Sequence, residues 1–173
     1  MEDMQTRILE ALQPLTGLSL SIARNAGNMK NFQFGRIQPH PSGKGTVGEY
    51  ALHIQCPWRM IQAGKILTGS CDYYEQHADG ADENTGGPTG NLQQRKLFSL
   101  LRGYDPKTRS LVNDAGGLVV ESIRSDTYGG LEIEFSGSVS LQIFPDGSET
   151  EAWRFFRLGT DDHLVIGGPS SAM

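Results

Sequence analysis

Cysteine is scarce in this chain: Cys56 and Cys71 are the only two among 173 residues. Two thiols are too few for the disulfide framework of a small secreted domain, and neither belongs to a CxxC pair of the redox or zinc type. A basic surplus is missing as well. Fifteen Lys and Arg stand against twenty Asp and Glu, giving a formal net charge of −5 and a pI near 5.3. Such a chain lacks the cationic face that neutralises phosphate backbones, so nucleic acid is not an expected partner. No run approaches the roughly 20 apolar residues of a membrane span, and the opening Met1-Glu2-Asp3-Met4-Gln5 has neither the basic flank nor the apolar stretch of a signal peptide. A cytoplasmic location without membrane contact is the expectation. Walker-type, GxSxG and HExxH motifs are also absent, and no cofactor is expected.

Glycine, by contrast, is plentiful. The 22 glycines are spread along the chain rather than gathered in a tail, as the many tight turns of an antiparallel sheet require. Charge is unevenly placed: residues 1–76 hold seven Lys and Arg against six Asp and Glu, while 77–173 hold eight against fourteen. A basic protein partner would meet the second half. The length suits one domain over 1–173 with a core that needs no metal or disulfide to staple it.

Periodicity supplies the elements. Met4, Ile8 and Leu12 recur near a helical period of about 3.6 behind acidic Glu2 and Asp3, which predicts a helix over 2–13 ended by Pro14 and Gly17. Leu18, Leu20 and Ile22 alternate with small polar residues, and Phe32 and Phe34 alternate again beyond the Asn25-Ala26-Gly27-Asn28 turn; this reads as a hairpin. Residues 38–46 read as loop. Tyr50, Leu52, Ile54 and Cys56 share one strand face, and Leu67, Cys71 and Tyr73 one face of a later run. A two-residue loop at Ala63-Gly64 then sets Cys56 across from Cys71, unless a bulge at Pro57 shifts the register. The polar, acidic stretch 76–90 reads as a mobile loop, 91–102 as a helix capped by Asn91, and the residues up to Asp114 as a connection. The last third is a strand meander over 117–124, 131–135, 139–144, 151–158 and 163–167. There the apolar sets Leu131, Ile133, Phe135 and Val139, Leu141, Ile143 face together only across a three-residue loop, Ser136-Gly137-Ser138. The fold class expected is α+β, predominantly antiparallel β, as a curved sheet or two packed layers of about eight or nine strands with two helices.

The chemically richest stretch is His53-Ile-Gln-Cys-Pro-Trp-Arg59 with Asp72-Tyr73-Tyr74-Glu75 on the partner run. Strand alternation sends His53 and Cys56 to opposite faces, so this HxxC cannot share a metal without a bulge. His53, Arg59 and Asp72 rimmed by Trp58 and Tyr74 form the candidate ligand site, suited to an anionic or aromatic group. The alternative is plain packing and ion pairing on a sheet. Both cysteines read as buried packing thiols. Asp79, Asp82 and Glu83 lack the spacing of a calcium loop, and His40, His77 and His163 fall in separate loops. Glu132 and Glu134 read as the wet side of a half-exposed sheet rather than a hydrolytic pair.

Tyr50-Ala-Leu-His-Ile-Gln-Cys-Pro-Trp-Arg59 followed by Gly69-Ser-Cys-Asp-Tyr-Tyr74 resembles a stretch shared by small uncharacterised bacterial proteins. The order of Leu-x-Ile-x-Phe strand, turn, Leu-x-Ile-Phe strand and Glu151-Ala-Trp-Arg-Phe155 is similar to the meanders of immunity proteins in bacterial toxin systems. That resemblance implies a protein that binds and neutralises a toxin and does no chemistry. The expected function is therefore non-catalytic binding, immunity-like toward a basic partner. A small-molecule or enzymatic pocket at His53, Arg59, Asp72 and Tyr74 is the alternative.

Overall fold

A computed structural model describes residues 2–75 and 90–169. Helix α1 spans Met4–Leu12; the Asp3 carboxylate accepts from the Thr6 backbone N–H at 2.8 Å, and Ile8 and Leu12 are buried. A 3-10 turn over Gln13–Leu15, with Pro14 at its start, ends the helix and buries Leu15. Strands follow as β1 (Leu20–Ala26), β2 (Met29–Phe34), β3 (Gln38–Pro39), β4 (Thr46–Val47), β5 (Tyr50–Ile54), β6 (Trp58–Gln62) and β7 (Lys65–Gly69). Helix α2 (Leu92–Leu101) precedes β8 (Arg102–Asp105), β9 (Ser110–Asn113), β10 (Val120–Ser125), β11 (Leu131–Phe135), β12 (Val139–Ile143), β13 (Glu151–Arg157) and β14 (His163–Gly167).

Two antiparallel sheets result. The larger has seven strands in the order β14-β13-β5-β2-β1-β9-β8, the smaller five in the order β10-β11-β12-β6-β7, and β3 and β4 pair alone. The α+β, mostly β class expected from the sequence is what the chain adopts, with more strands than expected. The chain passes between the sheets at 55–57, through α2, at 114–119 and at 144–150. Their inner faces pack on each other: Phe32 of β2 meets Trp58 of β6 edge-on at 5.2 Å, and Phe34 stacks with Phe135 of β11 at 6.4 Å. The Trp153 indole N–H of β13 donates to the Gly129 carbonyl before β11 at 2.8 Å, a third tie between the layers. The helices seal flanks of the layers, α1 against β10 and α2 against β7, β8 and β9.

The β11–β12 hairpin has the register that its apolar alternation demands. Leu131 pairs with Ile143, Ile133 with Leu141 and Phe135 with Val139, and all six side chains are buried. Elsewhere bulges intervene. Between Leu20 and Ile22 the β1–β2 register slips, so Ile22 stands opposite Gln33 rather than continuing the inward face of Leu20. In β6–β7 the loop Ala63-Gly64, with φ of +50° and +76°, has the left-handed backbone of a two-residue hairpin turn and sets Gln62 against Lys65. An extra residue at Leu67 then pairs Met60 with Thr68 and Arg59 with Gly69. The strand gives way to a 3-10 turn over Ser70–Tyr74, so the expected Cys56–Cys71 apposition does not form. Cys56 is buried as expected, whereas Cys71 is exposed.

Residues 102–113 form the hairpin β8–β9 at the edge of the larger sheet, where the sequence reads as the last residue of a helix and then a connection. Four-residue strands are too short for alternation to show. Arg102, at φ +71°, ends α2, and the Asp105 carboxylate accepts from Lys107 N at 2.9 Å and Thr108 Oγ1 at 3.1 Å to hold the turn. The expected acidic loop lies, apart from Gly90, outside the described residues.

Among the buried polar residues described, Lys30 is the one with a charged side chain. Lys30 of β2 is 1% exposed, its Nζ 3.0 Å from Asn25 Oδ1, 3.2 Å from Gln93 Oε1 and 5.7 Å above the Phe32 ring. No carboxylate neutralises it among the described residues, and burial pushes its amine down to about 7.

Candidate functional site

The five residues singled out in the sequence do not share a pocket. Trp58 is buried between the sheets against Phe32. Arg59, next in β6, projects to the outer face of the smaller sheet, where its Nε donates to Gln142 Oε1 at 2.7 Å and its guanidinium lies 5.3 Å from the Phe144 ring centre. Asp72 accepts from Thr68 Oγ1 of the preceding strand β7 at 3.0 Å. Tyr74 is exposed, edge-on to Tyr73 at 5.2 Å. Only Trp58 and Tyr74 meet, in a cleft of about 170 Å³ that Cys56 and Cys71 also line. His53 stands apart on the larger sheet. The cause is topological: β5 and β6 are consecutive in the chain but belong to opposite layers.

Glu132 and Glu134 take the place expected of them. On the solvent side of the smaller sheet Arg124 pairs with both, Gln142 Nε2 donates to Glu132 at 2.5 Å, and Ser122 donates to Glu134 at 2.9 Å. With Arg59 this makes a hydrogen-bonded ladder across four strands whose charges answer one another.

His53 leads to a different arrangement. Strand pairing sets Arg24 of β1, Asn31 of β2, His53 of β5 and Arg154 of β13 in one row across neighbouring strands of the larger sheet. The row faces away from the core, because Phe32, Leu52, Trp153 and Phe155 on the same strands face into it. At one end Arg154 grips Glu151 through two hydrogen bonds, Nε to Oε1 at 2.6 Å and Nη2 to Oε2 at 2.7 Å. Its Nη1 lies 3.1 Å from His163 Nδ1. A guanidinium only donates, so Nδ1 is the acceptor in this contact. His163 stacks on Phe156 at 4.1 Å, and His53 meets the same ring edge-on at 5.0 Å. His163, read as an isolated loop histidine, thus belongs to this cluster.

At the other end the side chains lack such partners. Among the described residues neither Arg24, nor Asn31, nor His53 has a side-chain hydrogen bond, and no carboxylate pairs with Arg24. Asn31 is 7% exposed with Oδ1 buried and unsatisfied. Two residues on along the same face, Gln33 is fully buried; its Oε1 accepts from Gly48 N at 2.9 Å, while its Nε2 has no partner. Burial lowers the Arg24 pKa. Burial lowers that of His53 too, reinforced by the charges of Arg154 and Arg24 and by His163. The Arg154 hydrogen bonds hold Glu151 below the ordinary carboxylate range. With Glu151 balanced by Arg154, Arg24 leaves a net positive, partly desolvated spot on an acidic protein.

Sequence reading found His53 and its face but missed the rest of the row, because its members are brought together by strand order and not by proximity in the chain. The available signal was complementary alternation: Asn31 lies beside Phe32, and Arg154 between Trp153 and Phe155, each on the face opposite an apolar set. A cleft of about 580 Å³ between α1 and the β13–β14 hairpin touches the same corner through Phe156 and His163. Among the described residues no group of His, Cys, Asp and Glu is placed to hold a metal ion, and no helix is long and apolar enough to cross a membrane. Comparison with protein-family models, with curated proteins and with solved structures finds no match.

Proposed function

We propose that the protein is a cytoplasmic binding protein that takes its ligand on the outer face of the larger sheet, over Arg24, Asn31 and His53. The observation that carries this reading is Asn31, more than nine-tenths buried with an unpartnered Oδ1. Leaving a buried polar atom unpaired costs about 1–3 kcal/mol, and folded proteins rarely bear it without an ordered water or a bound group that completes the bond. Arg24 and His53, its cross-strand neighbours in the row, have no side-chain hydrogen bonds of their own among the described residues.

The test is a thermal-shift and NMR screen of small acids, sugars, phosphates and amines against the wild type and Asn31→Val. A ligand that raises wild-type stability and shifts the signals of Arg24, Asn31 and His53 supports the reading. The variant should melt higher without ligand and lose every ligand-induced shift; if it melts lower and all ligands act equally on both proteins, Asn31 is structural and the reading fails.

A second reading, immunity-like binding of a basic protein toxin, draws on the second half of the chain, where Asp114, Glu121, Asp126, Asp146, Asp161 and Asp162 are all exposed. It requires association that weakens steeply with salt. Binding insensitive to ionic strength argues against it.

A further inference from the structure

We infer that the Arg24–Asn31–His53 row recognises a small carboxylate carrying a hydroxyl on the adjacent carbon, as in an α-hydroxy acid. This rests on the binding function proposed for the same row and specifies its chemistry. Each side chain contributes one requirement. Arg24 offers only donors, is half-buried, and has no carboxylate against it among the described residues. A planar oxyanion matches its fork with two parallel hydrogen bonds. The Asn31 Oδ1 can only accept and is buried, so a ligand meets it once the amide turns outward on binding and must then bring a donor. A bare carboxylate or sulfate would turn oxygen toward oxygen there and leave the orphan unpaired.

The donor is better a hydroxyl than an ammonium. Arg24 and Arg154 flank the row, with His53 and His163 beside them, and Glu151 is already engaged by Arg154. A second positive charge would meet repulsion, with no free carboxylate among the described residues of the row to offset it. Geometry limits size as well: neighbouring strands lie about 5 Å apart, so three consecutive side chains span about 10 Å, enough for an acid of a few carbons.

His53 makes binding depend on pH. In the free protein Arg154, Arg24 and His163 disfavour its proton, with Glu151 the opposing charge. An anion placed beside it reverses that balance, so binding takes up a proton and tightens as pH falls.

The experiment is titration of the full chain with glycolate, acetate, glycine and sulfate, monitored by calorimetry and by amide and arginine side-chain NMR. It is run at about pH 5.5 and about pH 8, on either side of the ordinary histidine value. Glycolate should bind about tenfold more tightly than acetate, the worth of one added hydrogen bond, and glycine and sulfate more weakly. Its affinity should fall several-fold at the higher pH. Arg24→Gln should abolish binding of both acids, while Asn31→Ala should erase the preference for glycolate over acetate. Equal affinity for glycolate and acetate, or a preference that survives Asn31→Ala, overturns the inference. If glycolate fails but another compound of the wider screen moves the Arg24, Asn31 and His53 signals, the ligand class is wrong and the binding reading stands. If no compound moves them, both fall.

Discussion

Replacing Lys30 by methionine should make the protein more stable at neutral and acid pH. The amine is buried at the end of the core with two amide oxygens and an aromatic ring as its surroundings. In the unfolded chain it keeps the ordinary value of 10.5, and in the fold it is pushed down to about 7. Below pH 7 both states hold the proton, and the fold carries the full cost of a buried ammonium, about 5 kcal/mol for a depression of that size. Between pH 7 and 10.5 the unfolded chain binds a proton that the fold does not, so wild-type stability rises with pH. Above 10.5 the amine is neutral in both states and the cost is gone. Methionine keeps the length and apolar stem but removes the charge. It also removes two hydrogen bonds and strands the oxygens of Asn25 and Gln93, returning about 2–3 kcal/mol. The net expectation is a gain of about 2 kcal/mol near pH 6 that becomes a loss of similar size near pH 10. Urea unfolding of both proteins at about pH 6, 8 and 10, with unchanged m-values, measures this directly. Identical pH dependence in wild type and Lys30→Met would refute the reasoning, since it would mean that Lys30 titrates alike in the folded and unfolded states.

Thiol labelling of the native protein should modify Cys71 within minutes, whereas Cys56, buried with its thiol pushed up to about 12, should react only after denaturant is added; mass spectrometry of labelled peptides distinguishes them. Trp58→Ala removes the ring that joins the two sheets at Phe32 and should cost about 3–5 kcal/mol in denaturant unfolding. A loss below about 1 kcal/mol would mean that Trp58 does not join the sheets.

Local pattern and long-range order contributed differently to this molecule. Helices α1 and α2 were legible because each carries a capping residue, Asp3 and Asn91, ahead of a buried stripe at helical spacing. The β11–β12 register was legible because two apolar triplets can face one core only across a three-residue loop. Where the chain inserts an extra residue, as at Leu67 or between Leu20 and Ile22, alternation reverses and pattern alone misplaces the residues beyond the bulge. That is why Cys71 was set opposite Cys56. The short strands β8 and β9 carry too few residues for any period, and only pairing of β9 with β1 makes them part of a sheet.

The site divides along the same line. From sequence alone came a chain rich in antiparallel strands, an acidic balance of charge, and a histidine directed away from the apolar face of β5. The order in which strands lie side by side was decided by the tertiary structure, and that order separates His53 from Arg59 and Asp72 while joining it to Arg24, Asn31 and Arg154. Alternation is a property of each strand's own backbone and so can be read locally. Which strands become neighbours depends on how two whole apolar faces bury each other, and no single segment carries that information.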